Sequence, residues 1–281
     1  MRLSTRVHDR DSAGLTYVYP VVSRRARGVS VGINLNPNNA CNWRCVYCQV
    51  PGLTYGKGPP IDLERLDSEL RAMLAALLEG DYMERHVPEG SRRLNDVALS
   101  GNGEPTSSPQ FAEVIELVGR VLADFALVGR IQLVLITNGS LVSKPAVQRG
   151  LARMAELGGE VWYKLDSATA GGQAALNDSR AGPERALEGL RTAARLCPTW
   201  IQTCVLARGG EPPSQAEQDA YLDCLAELAA EGLPLRGVLL YGLARTSHQP
   251  EAPELAALPA AWLEEYARRI EARGLPVRVS A

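Results

Sequence analysis

Three cysteines lie close together in the spacing C-x3-C-x2-C: Cys41, Cys45 and Cys48. Three thiolates on one short loop can hold three irons of a [4Fe–4S] cube. Proteins that only transfer electrons normally offer a fourth thiolate, but the next cysteine along this chain is Cys197. The spacing therefore predicts a cluster whose fourth iron is open to an outside ligand.

An open iron suits S-adenosylmethionine (SAM), because the amino and carboxylate groups of its methionine part can chelate that iron. One electron from the reduced cluster then cleaves the S–C5′ bond. The products are methionine and a 5′-deoxyadenosyl radical, which abstracts hydrogen from an unactivated C–H bond. The cofactor carries this chemistry, while the protein supplies geometry and excludes water. We therefore expect a [4Fe–4S] cluster and SAM as cofactors.

Two other interpretations of the cysteine loop are a zinc site and a chance trio of buried thiols. Structural zinc takes four closed ligands, typically as two separated pairs, and no histidine lies near this loop in the sequence. The remaining cysteines are scattered along the chain at Cys197, Cys204 and Cys224. For these we expect buried packing rather than an auxiliary cluster.

A second motif, SGNGEPT at positions 100–106, follows a predicted strand. Glycines at the carboxyl end of a parallel strand let the backbone approach a ligand closely. The carbonyls of Gly101, Asn102 and Gly103, with Glu104 beside them, suit a cationic group such as the α-ammonium of SAM. By itself, a glycine-rich turn between a strand and a helix is typical of a tight turn. Because this one follows the cysteine loop by one strand, we predict that it contacts SAM.

Composition bounds the class of protein. The 281 residues, 46% of them hydrophobic, suffice for one large α/β domain or two small ones. A formal net charge of −2 disfavours a large nucleic acid as substrate, although a local basic patch stays open. The polar N-terminus and the lack of any long apolar run predict a cytoplasmic protein with no membrane partner. In that reducing compartment, clustered cysteines indicate metal binding or catalysis.

Short apolar runs alternate with amphipathic segments, which predicts parallel strands joined by crossover helices. The predicted strands are Val29–Leu35, Asp96–Ser100, Ile131–Thr137, Glu160–Leu165, Trp200–Leu206 and Leu235–Tyr241. The predicted helices begin near Asp62, after Ser108-Pro109, near Ser143, after Gly182-Pro183, near Ser214 and near Pro259. Pro109 is expected just inside the start of the second helix, where its missing N–H is tolerated. The segment Gly80–Leu94 is predicted to be a surface excursion. Pattern alone leaves an open doubly wound sheet and a partial barrel as alternatives.

At its two motifs the chain resembles the radical SAM superfamily. The signature of that superfamily is a C-x3-C-x-aromatic-C loop, and Tyr47 stands in the aromatic position. Gly101–Glu104 is similar to its GGE motif, with Asn102 at the second position. The resemblance implies an α/β fold, a partial (β/α)6 radical SAM barrel of parallel strands that binds SAM at their carboxyl ends. We expect one domain over residues 1–281, with an extension (1–28), barrel elements (29–241) and a C-terminal loop, helix and strand (242–281).

A narrower likeness is to the wyosine-synthase-like radical SAM proteins. The likeness lies in Tyr19–Arg25, Gly32–Asn39, Cys48–Val50, Lys164–Asp166 and Tyr241–Arg245. The 4-demethylwyosine synthases of that group build a tricyclic base on tRNA guanosine from pyruvate. They carry extra N-terminal cysteines for a second cluster, whereas no cysteine here precedes Cys41. This difference from the resembled synthases predicts a related enzyme with a different or unassigned substrate.

Polar residues follow the later predicted strands, at the edge where barrel enzymes place ligand contacts. Asp166 or Ser167 is a candidate for binding the ribose hydroxyls of SAM, and Lys164 for binding its carboxylate. Asn138 after the third strand and Gln202 on the fifth are candidates for further SAM contacts. Loop capping, or polar groups satisfied inside the sheet, explains these residues about as well.

Candidates for substrate contacts lie after the sixth predicted strand. Arg245 is suited to fork onto a carboxylate or phosphate, and His248 to donate or accept a proton. A solvated loop is the alternative for both. The basic run Ser23–Arg27 is either a solvated edge or a phosphate contact near the cluster.

These features favour an enzyme that begins radical chemistry by hydrogen abstraction from a small or nucleotide-like substrate. Its electron must come from an external low-potential flavodoxin or ferredoxin, because the sequence shows no flavin domain. Modification of a tRNA base is a second hypothesis, which the near-neutral charge disfavours. A non-catalytic iron–sulfur protein that relays electrons is a third hypothesis, from a different class.

Overall fold

A computed structural model describes Leu3 and residues 13–23 and 28–280. The arginines of the basic run, Arg24, Arg25 and Arg27, lie outside the described residues, so their phosphate contact stays a prediction. Among the described residues, no helix is both long enough and apolar enough to span a membrane.

Strands and helices alternate along most of the chain. In chain order the strands are β1 Val18–Ser23, β2 Gly28–Ile33, β3 Ala40–Cys41, β4 Thr54–Tyr55, β5 Leu94–Leu99, β6 Gln132–Thr137, β7 Glu160–Lys164, β8 Thr199–Val205, β9 Ala207–Arg208, β10 Leu235–Gly242, β11 Leu255–Ala256 and β12 Val277–Ser280. The helices are α1 Leu63–Leu78, α2 Tyr82–His86, α3 Phe111–Asp124, α4 Pro145–Glu156, α5 Ala170–Asn177, α6 Pro183–Leu196, α7 Gln215–Ala230 and α8 Ala260–Glu271.

The chain divides by its internal contacts into two compact units. The first unit is Met1–Asn42, Gly56–Ile136 and Lys144–Glu160. The second unit is Trp43–Tyr55, Thr137–Ser143 and Val161–Ala281. The single domain expected over residues 1–281 stays a prediction.

The first unit contains a sheet of β1, β2, β5 and β6. β2 pairs in parallel with β5, and β5 with β6, while β1 runs antiparallel to β2. Helices α1 and α3 pack against each other, and so do α3 and α4. All six residues of β2 are buried, as expected of a strand covered on both faces.

The second unit contains parallel strands throughout its main sheet. β8 pairs with β7 on one side and with β10 on the other, and β10 pairs with β12. Helices α5 to α8 connect these strands. The predicted fold class, α/β with parallel strands, is therefore confirmed, and each predicted strand is present with bounds shifted by at most two residues.

Three local predictions need correction, and one helix is absent from the prediction. β1 lies within the segment predicted as an extension, where Pro20 masks its strand pattern; proline is tolerated there because β1 lies at the edge of the sheet. Helix α3 begins at Phe111 with Gln110 before it, so Pro109 lies outside the helix. The predicted surface excursion contains α2 and the fully buried Val87. Helix α5 was not predicted, because a two-turn helix offers little periodicity.

A buried carboxylate joins α1 to the chain that enters β1. Glu69 is 6% exposed, and its oxygens accept backbone N–H groups from Thr16 (2.9 Å), Tyr17 (2.7 Å) and Val18 (3.3 Å). Arg65 donates its Nε from one turn earlier (2.9 Å). Burial alone would raise the pKa of Glu69, but these donors outweigh it and hold that pKa below its ordinary value.

Replacement of Glu69 by alanine leaves three backbone N–H groups at the entry to β1 without their acceptor. Since each unsatisfied buried group costs about 1–3 kcal/mol, we expect Glu69→Ala to lower the free energy of unfolding by about 3 kcal/mol in urea titrations at pH 7. Because the pKa of Glu69 is lowered in the folded state, its ionised carboxylate stabilises the wild type fully above the unfolded-state pKa of about 4.3. That stabilisation is lost as the pH falls through the folded-state pKa.

Glu64→Ala, at an exposed position of the same helix, is the matched control and should change stability by no more than about 0.5 kcal/mol. Equal unfolding midpoints for the two variants, or a Glu69→Ala deficit that grows in acid, would contradict this role of Glu69.

Candidate active site

In the first unit, asparagines hold the segment that leads into Cys41. Asn36 is buried, and its Nδ2 donates to the carbonyl oxygen of Ala40 (2.9 Å) and to Oγ of Ser107 (3.1 Å). The carbonyl of Cys41 accepts the backbone N–H of Gly56 (2.9 Å). These bonds fix the backbone on both sides of a half-buried Cys41.

The glycine loop packs directly against that segment. Oδ1 of Asn34 accepts the backbone N–H of Asn102 (3.0 Å), and Nδ2 of Asn102 donates to Oδ1 of Asn39 (2.6 Å). A Cβ at Gly103 would lie only 2.1 Å from the carbonyl oxygen of Ala40, and one at Gly101 only 2.4 Å from Oδ1 of Asn34. The two glycines therefore allow the loop to approach the backbone that carries Cys41.

Glu104 is used locally. Its side chain is buried, and Oε1 accepts the backbone N–H (3.1 Å) and the hydroxyl (2.6 Å) of Thr106, which caps the short 3₁₀ turn Pro105–Ser107. A contact from Glu104 to the ammonium group of SAM stays a prediction. The capping bonds show that the carboxylate also orders the turn after the glycines.

In the second unit, backbone hydrogen bonds pin the remainder of the cysteine loop. The N–H groups of Arg44 and Val46 donate to the carbonyls of Asn177 (3.2 Å) and Leu176 (2.9 Å) at the end of α5. From the other side, Oγ of Ser247 donates to the carbonyl of Val46 (2.6 Å). Cys45 and Cys48, both half-buried, thus lie on a loop held at several points.

Asp166 is the centre of a buried polar group beside Cys45. Its side chain has no exposed surface. Oδ1 accepts the backbone N–H of Cys204 (2.8 Å), while Oδ2 accepts Nδ2 of Asn177 (2.8 Å) and the hydroxyl of Tyr47. Burial, and then the Asp166 carboxylate, raise the pKa of Tyr47 well above its ordinary value, so its hydroxyl stays protonated as the donor.

Lys164 belongs to the same group. Its Nζ lies 3.1 Å from the hydroxyl of Tyr241, 3.9 Å from Oδ2 of Asp166 and 4.8 Å above the ring of Tyr47. Burial by itself would lower the pKa of Lys164, but Asp166 and Tyr241 outweigh it and raise that pKa well above its ordinary value. The lysine is therefore a fixed cation with 15% of its side chain exposed.

The strand register explains why these side chains meet. Lys164 is opposite Gln202, and Gln202 is opposite Leu239, while Cys204 is opposite Tyr241. Because side chains alternate along a strand, these residues share one face of the second unit's sheet. Gln202 is 1% exposed on that face, and its predicted contact to SAM stays a prediction.

A cavity of about 300 Å³ in the second unit is lined in part by Asp166, Ser167, Leu206, Glu217 and Tyr221. Ser167 is buried, and its hydroxyl donates to Oε2 of Glu217 (2.8 Å). The cavity thus has a hydroxyl–carboxylate pair in an otherwise largely apolar wall.

The other predicted candidates have contacts within a turn or with the cysteine loop. Oδ1 of Asn138 accepts the N–H (3.0 Å) and the hydroxyl (2.7 Å) of Ser140, which is a local turn. Nη1 of Arg245 donates to Oε1 of Gln49, next to Cys48 (3.0 Å). His248 is exposed, and its backbone N–H donates to the carbonyl of Cys48 (2.9 Å). Catalytic roles for Arg245 and His248 stay predictions.

Sequence reasoning missed Asn177, Glu217 and Ser247. Asn177 and Glu217 had weak local signals: Asn177 ends an unpredicted helix, and Glu217 stands three residues after the helix-capping Ser214. Nothing in the local sequence connects Ser247 with Val46, which is 201 residues away.

The donor set fits an iron–sulfur cluster, since it consists of three thiols within one short stretch of sequence, Cys41 to Cys48. Among the described residues, no group of three or more His, Cys, Asp or Glu side chains is arranged to hold a single metal ion. A cubane imposes a different requirement, because each thiolate binds its own iron and the ligands need not converge on one point. Three cysteines outside the loop are buried, as expected for packing: Cys197 directly after α6, Cys204 in β8 and Cys224 in α7.

Curated relatives match parts of this chain. It is 26% identical over 214 residues to UPF0026 protein slr1464 of Synechocystis, a match that covers 74% of this chain and 70% of the relative. It is 31% identical over 148 residues to UPF0026 protein MJ1312 of Methanocaldococcus jannaschii, covering 53% of this chain and 39% of the relative. A match at 26% identity over 132 residues covers 47% of this chain but only 17% of a GTPase Obg of Brachyspira hyodysenteriae. The chain thus spans less than half of two of these relatives.

Solved structures share the fold at low identity. One is a radical SAM methyltransferase from Sphaerobacter thermophilus, with a TM-score of 0.59, 16% identity and coverage of 90% of this chain and 66% of that chain. Another is TYW1 with a lysine–pyruvate adduct bound, with a TM-score of 0.54, 15% identity and coverage of 88% and 74%. Both likenesses confirm the predicted fold of the radical SAM barrel class.

The profile described as the Radical SAM superfamily matches residues 35–220. That span contains the cysteine loop, the glycine loop and the Lys164–Asp166 strand end. Proteins of this superfamily use a [4Fe–4S] cluster and SAM. Since the match covers more than half of the 281 residues and includes both motifs, the chain belongs to the radical SAM superfamily.

Proposed function

We propose that this chain is an enzyme that abstracts hydrogen from a small or nucleotide-like substrate. Cys41, Cys45 and Cys48 would hold the cluster, and its remaining iron would take SAM. When bound and reduced by an external flavodoxin or ferredoxin, the cluster and SAM together supply a 5′-deoxyadenosyl radical. The observation that carries the proposal is the hydrogen-bonded cysteine loop beside the buried Lys164–Asp166 pair.

The glycine loop supports a role in binding the ammonium group of SAM. The close approach of Gly103 to Ala40 leaves no room for a side chain there. Backbone carbonyls of positions 101–103 can then face a cation close to Cys41. Glu104 would act by ordering this turn through its bonds to Thr106.

Lys164 is suited to hold an anionic group. An ammonium has three donors; Tyr241 engages one of them, while Asp166, 3.9 Å away, compensates the charge. A further donor can bind the carboxylate of SAM or an anion of the substrate. Asp166 has its oxygens engaged by several donors, so the hydroxyl of Ser167 at the cavity wall is the better candidate for the ribose hydroxyls of SAM.

The test is anaerobic reconstitution, addition of SAM and dithionite, and quantification of 5′-deoxyadenosine. We expect the wild type to form it and Cys45→Ala to fall to the level of a protein-free control. Cys224→Ala, at a buried cysteine within α7, is the matched control and should retain activity. A wild type with full cluster content that yields no 5′-deoxyadenosine would overturn the proposed reaction.

A side chain at Gly103 should disturb cluster binding by displacing the backbone before Cys41. Overpacking costs about 1–3 kcal/mol, so Gly103→Ala is expected to weaken cluster retention on the order of tenfold, since about 1.4 kcal/mol corresponds to a factor of ten. The measurement is iron and sulfide per chain after reconstitution, with circular dichroism to confirm folding.

Gly90→Ala is the matched control, because a Cβ there meets no atom within 4 Å. Its cluster content should equal that of the wild type. Full and stable loading of Gly103→Ala would show that the close approach of the two loops is not needed to bind the cluster.

A further inference from the structure

Asn177 lies against a predicted cluster ligand. It is 1% exposed at the end of α5, and its Nδ2 lies 3.3 Å from Sγ of Cys45. The same Nδ2 donates to Oδ2 of Asp166 (2.8 Å), and its backbone carbonyl accepts the N–H of Arg44 (3.2 Å). Asn177 thus holds the cysteine loop through both its backbone and its side chain.

The chemistry of its neighbours determines which way the amide faces. An ionised carboxylate only accepts hydrogen bonds, so the NH₂ group of Asn177, not its oxygen, must face Asp166. That NH₂ group has two hydrogens. With one directed to Asp166, the second is available to the sulfur of Cys45 and to the nearby hydroxyl of Tyr47 (3.3 Å).

A hydrogen bond to a ligating sulfur changes the energy of the cluster. The donor withdraws negative charge from the thiolate, which favours the reduced, more negative state and raises the reduction potential. The effect is strong where water is excluded, because a buried hydrogen bond is poorly screened. Both the amide and the group around Asp166 are buried.

We propose that Asn177 is a positioning residue that sets the reduction potential of the cluster by donating an N–H···S hydrogen bond to Cys45. The proposal rests on the proposed function in one respect, since it requires a cluster bound through Cys45. It adds a second role for the end of α5, which determines how readily the external donor reduces that cluster.

The first experiment compares Asn177→Leu with the wild type after anaerobic reconstitution, without SAM. Iron and sulfide are quantified, and the cluster is titrated with mediators while its electron paramagnetic resonance (EPR) signal is followed. At the potential that half-reduces the wild type, we expect the ratio of reduced to oxidised cluster to fall about tenfold, which is about 59 mV for one electron.

Gln173→Leu is the matched control. Gln173 is a buried amide one turn earlier on α5, and its Nε2 donates to the carbonyl of Ser167 rather than to sulfur (3.1 Å). Its reduction potential should equal that of the wild type. Equal potentials in Asn177→Leu and the wild type, at equal cluster content, would overturn the proposal.

The second experiment detects the hydrogen bond itself in the wild type. It can therefore be done even if Asn177→Leu binds no cluster. Electron–nuclear double resonance of the reduced cluster in D₂O should show an exchangeable deuteron, and ¹⁵N-labelled asparagine should add a nitrogen coupling. A loaded wild type that shows neither coupling refutes the role of Asn177. A wild type that binds no cluster refutes the proposed function instead.

Discussion

A carboxylate without access to water must take all its hydrogen bonds from the protein, and this constraint organises the second unit around Asp166. Its donors come from separate parts of the chain: Tyr47 on the cysteine loop, Asn177 at the end of α5 and the backbone of Cys204 in β8. Lys164 supplies the compensating charge from β7. The hydrogen bond from Tyr47 to the Asp166 carboxylate therefore holds the cysteine loop, and with it Cys45, at the carboxyl ends of the strands.

In the first unit the corresponding constraint is the close packing of backbone on backbone. The side-chain amides of Asn34 and Asn36 form hydrogen bonds with backbone groups of the segment before Cys41 and of the glycine loop. Gly101 and Gly103 have no side chains that would keep the glycine loop away from that segment. Glycine weakens ordered structure by its freedom in the unfolded chain, and Gly101 also adopts a φ of 157°, which residues with a Cβ rarely take. The two units thus order their parts of the cysteine loop by different means, one with a buried charge and the other with small residues and amides.

Local sequence was sufficient wherever the determining interaction is local. The parallel strands follow from apolar runs, and the start of α1 follows from Asp62, whose side chain accepts the N–H of Arg65. The cysteine and glycine motifs follow from spacing within a few residues. Asn177 and Ser247 could not be found in this way, because their partners on the cysteine loop are more than 100 residues away.

The central claim is that three thiolates leave one iron of the cluster open to SAM. The most direct measurement is the EPR spectrum of the dithionite-reduced, reconstituted protein before and after addition of SAM labelled with ¹³C in its carboxylate. The account predicts that SAM changes the g-values and that double resonance detects a ¹³C coupling to the cluster. If the EPR spectrum of a fully loaded, reduced cluster did not change on addition of SAM and showed no ¹³C coupling, the open iron would be contradicted. That result would favour a protein that only relays electrons.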